Sequence, residues 1–380
     1  MTTAEANPLP RARLEDWLRD RYFDTSVDIS GSGVQDYTLG EVLDLAGAPT
    51  ADLRELVFRD SHSLGGPELR EAIARRFAGG RTDLVMATQG SSEGIYLAAR
   101  TLLRPGDEIV VPGPGYHSPS LLAESIGCRV RTWELGHRDG AVSNVDELVA
   151  MIGPGTRAVA VNFPHNPTGA TITPEEQRAL VDACDSVGAY LFWDGAFTHL
   201  TYDRPPLPDP ALAYPRALSF GTLSKGYGLP GLRVGWCLAH PEVLAECVRL
   251  RDYVSLALSP LTELVARHAI EHADALLAPR LAQATRNRAL VGDWVAEHTP
   301  LVRWERPAGG VAALPELTAI PDTEPFAEEL LRTHGVLVVP GTCFGRPGHI
   351  RLGFGGPTND LRQGLQRLAD LLSTRGGRHV

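Results

Sequence analysis

Ser219-Phe220-Gly221-Thr222-Leu223-Ser224-Lys225-Gly226-Tyr227-Gly228-Leu229-Pro230-Gly231-Leu232-Arg233 is the stretch on which the reading of this chain turns. It holds Lys225, the only lysine in a chain with 36 Lys and Arg residues. A surface that needs positive charge is indifferent to which base supplies it, so position 225 is where guanidinium does not serve. Arginine stays protonated, whereas a buried lysine amine sheds its proton and attacks a carbonyl. The neighbours of Lys225 are small, apolar or glycine, which suits a buried amine. The abundance of Arg, Ala, Gly and Pro also fits a GC-rich coding sequence, in which lysine is scarce for other reasons.

Working outward, short apolar runs alternate with helical patterns. Strands are predicted at 84–88, 109–111, 130–135, 158–163, 190–193 and 218–221. A helix is expected at 93–103, after Gly90-Ser91-Ser92 breaks the first strand. Another starts at Thr173-Pro174-Glu175-Glu176, a capping box with proline at the first helical position. This alternation predicts an α/β fold with a mainly parallel sheet covered on both faces, and ligands then sit at the carboxyl ends of the strands. Before it, Leu14, Trp17, Leu18 and Tyr22 predict a short amphipathic helix, followed by a loop from Asp28 to Gly33, and a helix opens at Pro67. After it, 242–299 is expected to be helical, bent or divided at Pro279. Strands at 301–304, 311–314, 336–339 and 350–354, with two helices, predict a smaller α+β domain.

The chain has 380 residues, 43% apolar and 22% charged, with a net charge of −10. That is ample for a large buried core and argues against nucleic acid as a partner. No apolar run is long enough to cross a bilayer, and the first thirteen residues lack a signal-peptide pattern, so no membrane partner and a cytoplasmic location are expected. Cys128, Cys184, Cys237, Cys247 and Cys343 are scattered without a CxxC, which predicts free thiols and no metal site.

The residues that follow the strands match the needs of pyridoxal phosphate: an amine for the aldehyde, an acid for the ring nitrogen, donors for the phosphate and a group against the ring face. Lys225 supplies the amine. Asp194 ends an apolar strand, and a carboxylate there is tolerable opposite a fixed cation such as a protonated pyridine. Ser91 and Ser92 stand where a strand turns into a helix, a place that suits an anion; Ser91 alone is equally a helix cap. Thr222 and Arg233 complete a phosphate shell. Tyr116, after Pro112-Gly113-Pro114-Gly115, can stack on the ring, and Asn166 in Asn166-Pro167-Thr168-Gly169 can donate to its phenolic oxygen; each alone is an ordinary loop residue. Arg351, a charge within an apolar strand, suits an α-carboxylate.

The order of these residues (serines, tyrosine, Asn-Pro-x-Gly, aspartate, lysine, arginine eight later, distal arginine) resembles the fold-type I pyridoxal-phosphate enzymes of the class I/II aminotransferase superfamily. The resemblance spans almost the whole chain. It implies the aspartate aminotransferase-like fold: a seven-stranded sheet in a large domain (50–275), a small domain (276–380), an arm (1–49) that joins it, and a homodimer. Asn162 to Ala170, Leu191 to Thr198, Arg249 to Tyr253 and the loop at 28–40 are similar to the branch that cyclises hydroxylated arginine in antibiotic biosynthesis. That branch implies loss of a β-hydroxyl from a 3-hydroxylated or 3,4-dihydroxylated arginine, with Lys225 as base, then addition of a guanidino nitrogen at the β-carbon. Gly33 joins Arg351 among the substrate-binding residues, Asp36 and Glu41 are candidate guanidinium acids, and Tyr116 or His117 can assist loss of the hydroxyl. Two departures stand out. Phe197 occupies the position where most aminotransferases carry a tyrosine bonded to the cofactor, and Arg59-Asp60-Ser61-His62-Ser63 lacks the usual tyrosine that reaches a neighbouring subunit's phosphate. The competing expectations are an ordinary aminotransferase, which converts the cofactor to its amine form, and a ligand-sensing regulator, for which the acidic 49-residue entry segment supplies no DNA-binding module.

Overall fold

The computed structural model describes residues 10–47, 50–138 and 140–376. The first nine residues, on which the signal-peptide reading partly rests, lie outside them. Seven strands form the main sheet: β1 (Val85–Thr88), β2 (Glu108–Gly113), β3 (Arg129–Glu134), β4 (Thr156–Asn162), β5 (Tyr190–Asp194), β6 (Ala217–Thr222) and β7 (Gly235–Leu238). Their spatial order is β1-β7-β6-β5-β4-β2-β3. The pairs β6·β5, β5·β4, β4·β2 and β2·β3 are parallel; β7 runs antiparallel to both β1 and β6. The inner strands are apolar on both faces because helices cover both. One core contains Val85, Val110, Val159, Leu191 and Trp236, and the core on the opposite face contains Met86, Ile109, Phe192, Leu218 and Phe220.

The six predicted strands are present, each within two residues of its expected ends. The seventh, β7, escaped individual prediction because four buried residues broken by Gly235 carry too little pattern. The 242–299 region is three helices, Pro241–Arg251, Pro260–Glu271 and Ala273–Glu297. The expected division at Pro279 is corrected: the last of these helices runs through it. The breaks fall instead at Tyr253–Ser259 and His272, where Ser259 caps the next helix by accepting from the Leu261 amide.

The entry segment and the tail share a third core. Leu14 and Trp17 of helix α1 (Arg13–Arg19), together with Val27 and Ile29, pack with Val336, Leu337, Ile350 and Phe354. Val27-Asp28 pairs in parallel with Val336-Leu337, and the Trp17 indole N–H donates to the Val338 carbonyl at 2.9 Å. The expected boundary near residue 275 falls inside helix Ala273–Glu297. Its first turn packs in the large core (Ala273, Leu276) and its later turns in the small one (Ala284, Val291, Trp294). No described helix is long and apolar enough to cross a membrane.

Candidate active site

Strand register gathers the site. Asp194 pairs across β5 with Asn162 of β4 on one side and Phe220 of β6 on the other. Gly235 of β7 pairs with Thr222 on one side and Thr88 on the other. Because β7 is antiparallel, its first residue lies at the carboxyl ends of β1 and β6. The chain must therefore return from Lys225 to that edge within about ten residues, which brings Arg233 beside the start of helix α2 (Gly90–Leu102). Arg233 adopts a left-handed conformation (φ 55°), and Gly90, at φ 70°, has no room for a side chain: a β-carbon there would lie 2.5 Å from the Arg233 guanidinium. A β-carbon on Gly235 would lie 2.6 Å from the Ser91 amide nitrogen. Ser91 and Ser92 thus belong to the first turn of α2, which starts at Gly90, three residues before the Glu93 start expected from sequence. Beneath that turn, buried Arg251 donates to the Ser63 carbonyl at 2.6 Å and the Ala87 carbonyl at 2.9 Å, and pairs with Glu93 at 3.2 Å.

A cavity of about 460 Å³ opens here, lined by Lys225, Asp194, Ser91, Ser92, Thr222 and Arg233, with Tyr116, Asn166, Phe197 and Arg351 completing its wall. All but one of the cofactor- and substrate-binding residues expected from sequence therefore face one space. Gly33 lines an adjoining cavity of similar volume that shares Ser32, Ser224, Lys225 and Arg351 with the first. A β-carbon on Gly33 would press on the Ser224 carbonyl at 3.3 Å. The Lys225 amine donates to Ser32 Oγ at 3.0 Å. Burial, then the nearby Arg351 guanidinium, push Lys225 down from its ordinary value to about 8, against the opposing pull of Asp194 and Glu15. Burial pushes Asp194 up to about 6, opposed by the Ala196 amide, which donates to its Oδ1 at 3.0 Å, and by Lys225. Both side chains are half-buried, open towards the cavity. A half-buried carboxylate without a bonded cation among the described residues, lining one cavity with an amine of depressed pKa, is a cost the fold accepts where a ligand supplies the missing partners.

The remaining residues fall into place around this pair. Ser224 Oγ accepts from Thr222 Oγ1 at 2.9 Å and from Arg233 at 3.4 Å, so hydroxyls and guanidinium converge beside the amides of α2. This is the chemistry of a phosphate seat. The Tyr116 phenol is pushed up to about 12 by burial and by the carboxylates of Glu15 and Asp194. Arg351 is 2% exposed, its pKa lowered by burial to about 10, and it donates twice to the Ser30 carbonyl (3.1 and 2.8 Å) and once to Asn166 Oδ1 at 3.5 Å. Phe197 is buried, so the departure from tyrosine leaves this wall apolar. The amine, the isolated acid and the anion seat together fit pyridoxal phosphate.

The candidate guanidinium and hydroxyl residues separate. Glu41 does not line either cavity: it is exposed and closes a capping box with Thr38, accepting from the Thr38 amide at 2.7 Å. Asp36 lines the adjoining cavity, with its carboxyl pushed up by burial. His117 lines, with Tyr116, Asn162 and Asp194, a second adjoining cavity of about 400 Å³ that Lys225 does not line. Sequence reasoning missed Ser32, Asn162 and Glu15. Asn162 braces the site by donating to the Asp194 carbonyl at 2.7 Å and accepting from the Asn166 amide at 2.8 Å. Glu15 sits between the apolar residues Leu14 and Leu18, which line the cavity with it. An acid on that face of an amphipathic helix was the available signal. Ser61 donates to Glu263 at 2.6 Å within the chain.

Residues 55–368 match the family model for class I and II aminotransferases. The chain is 50% identical to capreomycidine synthase of Streptomyces vinaceus over 96% of its length and 95% of that protein. It is 32% identical to the arginine–pyruvate transaminase AruH of Pseudomonas aeruginosa over 80% of each. Among solved structures, the PLP-dependent cyclase OrfR superposes with a TM-score of 0.92 at 44% identity, covering 98% of this chain and all of that one. A PLP-dependent aminotransferase from Streptococcus suis superposes at 0.91 with 28% identity, covering 97% and 98%.

Proposed function

This chain belongs to the class I and II aminotransferase family, and from that membership we propose that it is a pyridoxal-phosphate-dependent cyclase that turns a β-hydroxylated arginine into capreomycidine or its hydroxylated form. The observation that carries this reading is 50% identity across 96% of the chain to a capreomycidine synthase. The buried Phe197, which leaves no hydroxyl at the position of the usual tyrosine, favours it over ordinary transamination.

The bound cofactor supplies an aldehyde that condenses with amines and a ring that accepts electrons from a substrate carbanion. Lys225 would hold the aldehyde, Asp194 the ring nitrogen, Asn166 the phenolic oxygen and Tyr116 the ring face. The phosphate falls to Ser91, Ser92, Thr222 and Arg233. Asp194 would pair with a protonated ring nitrogen, which keeps such a ring electron-poor. Arg351, already fixed by the Ser30 carbonyl, has one guanidinium edge for the substrate's α-carboxylate. Lys225, with its pKa near 8, is in part neutral at physiological pH and takes the proton from the substrate's α-carbon. The β-hydroxyl departs as water, a guanidino nitrogen bonds to the β-carbon, and Lys225 returns a proton to the α-carbon. The substrate loses one water in total, and no second keto acid is consumed.

The divisions 1–49, 50–275 and 276–380 serve as arm, large domain and small domain. Val57, Phe58, Tyr253 and Leu256 are large apolar side chains left exposed, as a homodimer interface requires. The reaction is tested by incubating pure protein with 3-hydroxyarginine, with and without a 4-hydroxyl, and reading product mass. A product lighter by one water is expected. Release of a keto acid with stoichiometric amine-form cofactor would establish the aminotransferase instead.

A further inference from the structure

We propose that Glu15 recognises the substrate's guanidinium, acting as the counterpart of Arg351 at the other end of the molecule. This rests on the hydroxyarginine reading and extends it to a residue that sets specificity. The site's cations are all committed: Lys225 to chemistry, Arg233 to the anion seat, Arg351 to a carboxylate. A guanidinium entering this space needs an acid of its own, because bringing it near three cations without one is prohibitively costly.

Five carboxylates line the two joined cavities: Glu15, Asp194, Asp28, Asp36 and Asp360. Asp194 is held at the end of β5 for the ring nitrogen. Asp28 is turned inward, its Oδ1 accepting from the Ser30 amide at 2.7 Å and the Ser30 hydroxyl at 2.6 Å. Asp36 and Asp360 line only the adjoining cavity and not the one holding Asp194 and Tyr116. Glu15 lines the same wall as Lys225, Tyr116 and Arg351, and its charge acts on all three and on His117. It shares its helix with Arg13 and Arg19, but those pair with Glu324 and Asp16. Among the described residues no ion pair engages Glu15. Its carboxylate instead faces the Tyr116 phenol, whose pKa it helps to raise, a neutral neighbour that a guanidinium can join.

The helix is anchored to do this. Leu14 and Trp17 are buried in the small core, and Trp17 is bonded to Val338. Glu15 is therefore presented by a fixed element, which preserves the length discrimination that an arginine-sized substrate requires. The same charge opposes the second carboxylate of dicarboxylic substrates, so one residue both selects and excludes.

The test is a visible-absorbance titration of the cofactor-loaded protein with L-arginine, which has no β-hydroxyl to lose, and with L-citrulline, its uncharged counterpart. The wild type should favour arginine by about tenfold or more. Glu15→Gln should weaken arginine by about tenfold to a hundredfold, the range of a charge-assisted hydrogen bond, while leaving citrulline within about twofold. Glu15→Asp should keep part of the preference, and Asp36→Asn should keep all of it. A Glu15→Gln protein with wild-type melting temperature that still prefers arginine overturns the assignment, as does loss of the preference in Asp36→Asn alone. A wild type that does not distinguish arginine from citrulline overturns the hydroxyarginine reading itself.

Discussion

The floor of the active-site cavity and the arm that roofs it reach the same space by different routes. On the floor, Asp194, Thr222, Lys225 and Arg233 are supplied by adjacent strands and one tight return, within forty residues of chain. On the roof, Ser32 meets Lys225 across 193 residues, and Ser30 meets Arg351 across 321. The floor is set by register within a sheet apolar on both faces, so its geometry is as rigid as the core beneath it. The roof depends on a two-residue strand pair and one packed helix. In the proposed reaction, cofactor chemistry belongs to the part of the molecule that is hardest to deform. The proposed substrate choice belongs to the part that can vary without disturbing it.

That contrast can be broken most forcefully at Lys225. Lys225→Ala and Lys225→Arg should both lower the rate of water loss by more than about 10³-fold, measured by product mass. Borohydride treatment and peptide mapping should find no cofactor label at position 225. If Lys225→Arg retained activity, the distinction drawn from the sole lysine would fall. Next, Arg351→Lys should raise KM by about tenfold to a hundredfold with cofactor retained, because lysine cannot make both bonds to Ser30 and still present an edge to a carboxylate. A smaller effect tests the cost of the floor itself. Asp194 has a folded-state pKa near 6 against an ordinary 3.8, so the folded protein binds more protons between those values. Its contribution to stability therefore falls as pH rises from about 4 to 6 and stays lost at neutral pH. Asp194→Asn should stabilise the cofactor-free protein at pH 7 by on the order of 1 kcal/mol, since the carboxylate is half open to the cavity. The gain should shrink towards pH 4 in thermal melts, and cofactor affinity should fall at the same time. The smallest effect belongs to the roof: Trp17→Phe removes the bond to Val338, worth about 1 kcal/mol. It should raise KM without changing the cofactor spectrum.

The floor was legible because its signals are local. A strand, a turn and a helix start announce Ser91, Asp194 and Lys225 from within a dozen residues each, and the parallel sheet then obliges them to share an edge. The roof was not. Glu15 carries no motif of its own, and by sequence Glu41 is as suitable an acid as Asp36, its capping role being visible only in the structure. Strand β7 was too short to stand out, yet it is what returns Arg233 to the start of helix α2. Alternating periodicity and a single lysine thus determine from the chain alone that this is an α/β fold, and single out Lys225 as the candidate to hold an aldehyde. Which carboxylate faces that lysine from above was decided only by tertiary structure, because it depends on how a distant helix packs against the tail, and packing direction leaves no mark in the spacing of residues along one segment.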